Sequence, residues 1–157
     1  MQGDPRFMRM AIELATDNVT SGAGGPFGAV IVRDGVVVAR GANQVTATND
    51  PTAHAEITAI RNACRELGVF ELKGTEIYSS CEPCPMCLTA ILWARCDRLY
   101  FGNTARDAAE AGFDDSDFYE QVRRPVNERA LPTENLMRSE ALVSFKAWRD
   151  FVDRIDY

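Results

Sequence analysis

The sequence predicts an α/β fold, a three-layer α/β/α sandwich with a mixed central sheet. Three observations carry this. An amphipathic helical segment opens the chain, two β-rich runs meet at Asp34-Gly35, and strand-like and helix-like segments alternate afterwards. A hairpin supplies antiparallel strands and strand–helix–strand connections supply parallel ones, so the sheet must be mixed. The 157 residues are about one domain's worth at roughly 150 residues per domain, so 1–157 is expected to form a single domain.

The elements follow in order. Asp4-Pro5 reads as a helix cap and a first-turn proline, and Phe7, Ala11, Leu14, Ala15 and Asn18 recur at helical spacing. This helix runs to about Thr20, and Ser21-Gly22-Ala23-Gly24-Gly25-Pro26 breaks it. Residues 27–33 and 36–40 flank Asp34-Gly35 as a hairpin. Asn49-Asp50-Pro51-Thr52 is expected to open a second helix, with Ile57, Ile60, Ala63, Cys64 and Leu67 as its buried stripe and Gly68 as its stop. A strand over 76–79, a helix over 86–94, a strand over 98–102 and a short helix over 105–111 come next. Residues 123–136 read as irregular. The last segment, 139–155, carries Leu142, Phe145, Trp148, Val152 and Ile155 at helical spacing.

Apolar residues make up 46% and charged residues 25%, which excludes disordered, collagenous and coiled-coil classes. No apolar run approaches the ~20 residues of a membrane span, so no membrane partner is expected. Met1-Gln2-Gly3-Asp4-Pro5 has no basic stretch feeding an apolar core, and a cytoplasmic location is expected. The net charge is −6, from 23 acidic against 17 basic residues, and Lys73 and Lys146 are the only lysines. A phosphate backbone is held mainly by Lys and Arg contacts, so no long nucleic acid is expected as a partner. A small, neutral or weakly charged ligand fits better.

Chemistry concentrates in two segments, Thr52-Ala53-His54-Ala55-Glu56 and Pro83-Cys84-Pro85-Met86-Cys87. His54 is the single histidine of the chain, and Cys81, Cys84 and Cys87 stand three residues apart. In a reducing compartment, closely spaced cysteines bind metal or do catalysis more often than they form disulfides. Side chains three apart share a helix face, so Cys84 and Cys87 can grip one ion. Side chains in a helix's first turn also surround its end and can converge on an object in front of it. Two helices aimed at one spot would then offer His54, Cys84 and Cys87 as three ligands. The open fourth corner is the pattern of a catalytic zinc. Two thiolates nearly neutralise Zn²⁺ and acidify bound water weakly, so a nearby base is needed, and Glu56 is placed for it. A rival uses Cys81 as a fourth ligand and closes a structural site, although Pro83 and Pro85 interrupt the helix between Cys81 and Cys87. Cys64 and Cys96 read as small buried apolar groups.

The His-x-Glu and Pro-Cys-x-x-Cys pair resembles the zinc nucleobase deaminases of the cytidine deaminase superfamily. The likeness extends through residues 24–32, 49–56, 80–87 and 108–115 and into the tail from Phe145 to Tyr157. Those stretches are similar to the bacterial guanine deaminases. The resemblance implies a Zn²⁺ enzyme that converts guanine to xanthine and ammonia, with His54, Cys84 and Cys87 as metal ligands and Glu56 as proton shuttle. It further implies that Asn43 hydrogen-bonds a purine base between walls supplied by Phe27 and Trp93. A homodimer is expected as well, its C-terminal segment (about 138–157) exchanged between subunits so that Asp115 and Tyr157 help form the substrate pocket. Two other readings use the same residues: a deaminase of a nucleoside, another aminated heterocycle or tRNA adenosine, and a zinc-stapled binding module without catalysis.

Overall fold

The computed structural model describes residues 2–157. The chain divides into two compact units, the first ending at Ser116 and the second running from Asp117 to Tyr157. The second unit thus begins earlier than the C-terminal segment expected from the sequence.

Helix α1 (Pro5–Thr20) begins as its sequence dictates, with the Asp4 side chain accepting a hydrogen bond from the Arg6 N–H. Proline takes the first turn, where its missing donor costs nothing. Phe7, Ala11, Ala15 and Asn18 are buried, and Leu14 is half-buried. Strands β1 (Gly28–Arg33) and β2 (Val36–Ala42) form the expected hairpin. Asp34 and Gly35 both have positive φ, 51° and 74°, as in the primed turns whose twist matches that of paired strands.

The next connection departs from expectation. Residues 49–52 do not open a helix. The Asp50 carboxylate accepts hydrogen bonds from the Thr52 N–H at 2.8 Å and hydroxyl at 2.7 Å, which folds the segment into a side-chain-closed turn. A single helical turn, α2 (Val45–Thr48), precedes it, and the long helix α3 spans Ala55–Leu67 with His54 at its N-cap and Gly68 at its C-cap. Its buried face also differs from the expected stripe. Ala55, Glu56, Ala59 and Ala63 are buried, whereas Ile57, Ile60, Cys64 and Leu67 are only partly so. The cause is the close approach of α3 to β2 at Gly41, where a Cβ would lie 2.3 Å from the Ala55 carbonyl oxygen and 2.4 Å from the Ala59 nitrogen. Small residues alone fit beneath such a crossing.

Strand β3 (Thr75–Cys81), helix α4 (Pro85–Trp93), strand β4 (Arg98–Asn103) and helix α5 (Ala105–Glu110) follow close to their expected bounds. The sheet order is β2-β1-β3-β4, with β1 antiparallel to both neighbours and β3 parallel to β4. Alternation along β1 feeds two cores. Ala29 and Ile31 pack with Ala59, Ile77 and Ile91, while Val30 and Val32 pack with Phe7, Ala11 and Tyr78. Helix α1 therefore covers one face of the sheet, α3 and α4 cover the other, and the three-layer sandwich is realised. Cys64 and Cys96 are partly buried against the α3/α4 core, less enclosed than expected.

The second unit holds most of α6 (Ser116–Arg123), a 3-10 turn at Val126–Glu128 and α7 (Arg138–Asp150). Helix α6 lies outside the expected elements. Helix α7 stops at Asp150, short of Ile155, because Phe151 takes an extended conformation (φ −76°, ψ 112°). Leu142, Phe145, Trp148, Val152 and Ile155 are all exposed rather than packed. Tyr157 meets the Trp148 ring edge-on, with ring centroids 6.3 Å apart.

Candidate metal centre

The start of α3 and the start of α4 bring the two sequence segments together. His54 and Cys84 are the N-cap residues of these helices, both in extended backbone conformation, and Cys87 lies one turn into α4. The His54 Nδ1 is 3.6 Å from Cys84 Sγ and 3.5 Å from Cys87 Sγ. All three donor atoms lie within 4.8 Å of one another. A tetrahedral zinc with Zn–S near 2.3 Å and Zn–N near 2.05 Å sets its nitrogen and sulfur ligands about 3.5 Å apart, so the donor set fits that ion. Backbone N–H groups in the first turns of both helices favour negative charge there, the Cys87 N–H donating to Cys84 and the Glu56 N–H to its own carboxylate. The location agrees with a general rule for α/β sheets, because the group sits beyond the carboxyl end of β3, beside its parallel partner β4.

The electrostatics of the metal-free trio reflect its crowding. Cys84 is held down to about 4, chiefly by a hydrogen bond from the Cys87 thiol and then by the His54 ring. Cys87 moves upward because it is the donor in that hydrogen bond and because it is buried. His54 is raised by its hydrogen bond with Cys84.

Glu56 is buried, 5% exposed, and its Oε1 accepts a hydrogen bond from the Ser79 hydroxyl at 3.0 Å. Burial raises its pKa. Cys81 is not part of the metal-ligand group among the described residues. Its Sγ points to the Thr104 carbonyl oxygen at 3.7 Å, and burial pushes its thiol up to about 11. The closed four-ligand rival is therefore not formed.

The remaining expected residues divide. Asn43 is buried, with its N–H donating to the Phe27 carbonyl at 3.1 Å and its Oδ1 accepting from the Val45 N–H at 3.3 Å. Phe27 meets Phe113 edge-on at 4.9 Å, which ties it to the loop bearing Asp115. Asp115 has its pKa raised by burial and then by the nearby Cys84 charge. Trp93 departs from expectation. It is 63% exposed at the far end of α4, under the Arg95 guanidinium, and a rise of ~1.5 Å per residue separates it from Cys84 by about 13 Å. It is not part of the buried core. Tyr157 lies in the second unit and is 75% exposed.

Sequence reasoning missed Ser79, Glu82 and the clamp role of Asn18. Glu82 accepts from the Ala105 N–H at 3.0 Å and so fastens the start of α5 next to the cysteine loop. Asn18 did leave a signal: it is the one polar member of an otherwise apolar helical stripe. Ser79 left none, since its contact with Glu56 joins elements 23 residues apart.

A mixed sheet with helices on both faces and a His/Cys/Cys group beside a buried glutamate defines a zinc-dependent deaminase domain. The pattern for the cytidine and deoxycytidylate deaminase zinc-binding region matches residues 1–103, and the chain belongs to that family. Within the family it falls with the guanine deaminases. It is 51% identical to the guanine deaminase of Bacillus subtilis (strain 168) over 151 residues, 96% of this chain and 97% of that one. The X-ray structure of the Bacillus subtilis guanine deaminase superposes with a TM-score of 0.96 at 49% identity, covering 99% of both chains. A guanine deaminase structure from Nitrosomonas europaea gives a TM-score of 0.68 at 30% identity over 74% of this chain and 67% of that one. A tRNA-specific adenosine deaminase of Agrobacterium fabrum is 53% identical over 77 residues, 49% of this chain and 51% of that protein.

Proposed function

We propose that this protein hydrolyses guanine to xanthine and ammonia. The observation that carries the reading is the convergence of His54, Cys84 and Cys87 at two helix starts, with Glu56 buried alongside. His54, Cys84 and Cys87 would hold zinc, and that ion when bound would supply the Lewis acidity that makes a water nucleophilic. Glu56 accepts the proton released as the water oxygen bonds to the ring carbon bearing the exocyclic amine. It then returns that proton to the amine nitrogen as the carbon–nitrogen bond breaks, so water is consumed and ammonia leaves. The Ser79 hydroxyl holds Glu56 Oε1, and further hydrogen bonds from the Glu56 N–H and the Cys87 thiol set the carboxylate beside the metal-ligand group.

Asn43 reads the purine through its side-chain NH₂, because its Oδ1 already serves the Val45 N–H. Phe27 covers one face of the base, and Asp115 contributes from the loop beside Cys84. Tyr157 reaches the pocket from a second subunit of a homodimer in which the segment of about 138–157 is exchanged. The exposure of Leu142, Phe145 and Phe151 supports a partner surface there. The exchanged segment belongs functionally to one deaminase domain spanning 1–157. No described helix is long and apolar enough to cross a membrane, and we place the enzyme in the cytoplasm.

The experiment is an ammonia-release screen over guanine, guanosine, cytosine, cytidine, adenine and tRNA. Guanine far ahead of the rest is expected. A leading signal from cytidine, guanosine or tRNA would overturn the substrate while leaving the chemistry standing.

A further inference from the structure

Asn18 is an anomaly of α1. It lies on the buried stripe with Phe7, Ala11 and Ala15, where an apolar residue would pack without needing partners, and it is only 8% exposed. A buried side-chain amide persists in such a place when its hydrogen bonds are met. Here Nδ2 donates to two carbonyl oxygens at once, Gly25 at 2.8 Å and Asn43 at 2.9 Å. The Asn18 backbone carbonyl accepts in turn from the Ala23 N–H at 2.9 Å and the Gly24 N–H at 3.1 Å. One residue therefore fastens the end of α1, the glycine loop before β1 and the residue just after β2.

The packing around this clamp is close. A Cβ on Gly24 would lie 2.4 Å from the Asn43 carbonyl oxygen and 2.8 Å from Asn18 Nδ2. The Gly25 carbonyl also accepts from the Phe27 N–H at 2.8 Å, and the Phe27 carbonyl accepts from the Asn43 N–H at 3.1 Å. The clamp thus fixes the backbones of Phe27 and Asn43 relative to each other, and both side chains lie over Gly25, each 3.6 Å from where a Cβ on that glycine would be.

We propose that Asn18 is a positioning residue for purine recognition, holding Phe27 and Asn43 in one arrangement through the Gly25 and Asn43 carbonyls. This rests on the reading of Asn43 and Phe27 as substrate contacts. Its effect falls on binding rather than on the proton transfer, because nothing in the clamp touches Glu56 or the His/Cys/Cys group. An apolar replacement would loosen the loop, and an aspartate would set a carboxylate against two carbonyl oxygens.

The test measures steady-state kinetics on guanine, zinc content and melting temperature for Asn18→Ser, Asn43→Ala and the double variant. In folded, zinc-loaded Asn18→Ser, KM is expected to rise about tenfold with kcat within about threefold, the size of one or two hydrogen bonds. In the Asn43→Ala background the same change should raise KM by clearly less than in the parent protein, since of the two contacts it positions only Phe27 keeps its side chain. A raised KM in Asn43→Ala beside an unchanged KM in Asn18→Ser overturns the inference alone. An unchanged KM in Asn43→Ala overturns the reading of Asn43 and the inference with it. A fall in kcat at constant KM, or a loss matching the unfolded fraction, assigns Asn18 a purely structural role and overturns the proposal. Should Asn18→Ser not fold, Asn18→Ala takes its place. Failure of both to fold likewise makes Asn18 a structural residue and overturns the proposal.

Discussion

The Ser79 hydroxyl donates to Oε1 of Glu56 over 3.0 Å, joining the middle of the sheet to the first turn of α3. Both residues are buried, at 2% and 5% exposure. A carboxylate removed from water keeps a fixed orientation only where donors satisfy it. Ser79→Ala should therefore lower kcat about tenfold or more while one zinc per chain is retained, with stability falling by about 1–3 kcal/mol. Ser79→Thr keeps the hydroxyl and should recover much of the turnover. Equal kcat in Ser79→Ala and the parent protein would show that Glu56 needs no such anchor.

Glu56→Gln removes the proton acceptor but keeps the shape and the Ser79 contact. Turnover should drop by about 10²–10⁴-fold, the usual contribution of a positioned acid–base group. Zinc content should stay at one per chain, because the glutamate is not among the three donors. Metal analysis beside an ammonia assay reads both, and residual activity near the parent level would remove Glu56 from the mechanism.

Cys81 and Cys84 should part company chemically. Cys81→Ser should retain zinc and turnover, whereas Cys84→Ser should lose both. In chelator-stripped protein at pH 8, Cys84, held down to about 4, is already thiolate and should alkylate rapidly. Cys81, pushed up to about 11, remains protonated there and should react slowly. Its reactivity should climb only as pH rises toward that value. Peptide mapping of the alkylated cysteines decides this, and fast labelling of Cys81 at pH 8 would contradict its buried, protonated state.

Gly41→Ala should be severely destabilising, by about 3 kcal/mol or more. Its Cβ would meet backbone atoms of Ala55 and Ala59 at 2.3 Å and 2.4 Å, and neither can step aside without moving α3. Since the start of α3 carries His54 and Glu56, zinc affinity should weaken together with the melting temperature. A neutral substitution would show that the helix can slide on the sheet.

Removal of zinc by a chelator should abolish ammonia release and lower the melting temperature. Re-addition of one equivalent should restore both, as expected where metal binding and folding share free energy. Full activity in chelator-treated, metal-free protein would separate the reaction from the His/Cys/Cys group.

The hairpin, the capped first helix and the helix stop at Gly68 are legible in the sequence because each rests on local physics: an Asp-Gly turn, an Asx cap, a left-handed C-cap. The metal trio is legible for a related reason, since its spacing at two proline-marked breaks constrains geometry whatever lies between. Less can be read where two elements meet. The stripe of α3 escapes a hydrophobicity pattern because burial there is governed by clearance over Gly41. Residues 49–52 carry ordinary helix-opening signals, yet the Asp50 carboxylate closes a turn on Thr52 instead. The exposure of Trp93 is equally illegible, because an aromatic near a helix end looks alike in sequence whether it is buried or faces water.

The sequence by itself determined the chemistry, because a lone imidazole, a Cys-x-x-Cys pair and a nearby carboxylate have few joint uses, and their turn signals act over a handful of residues. Tertiary structure alone decided which groups support that chemistry. Ser79 reaches Glu56, Asn18 reaches Asn43, and Cys81 turns to Thr104 because the sheet brings together backbones 23 to 25 residues apart, a distance across which no local pattern in the chain carries information.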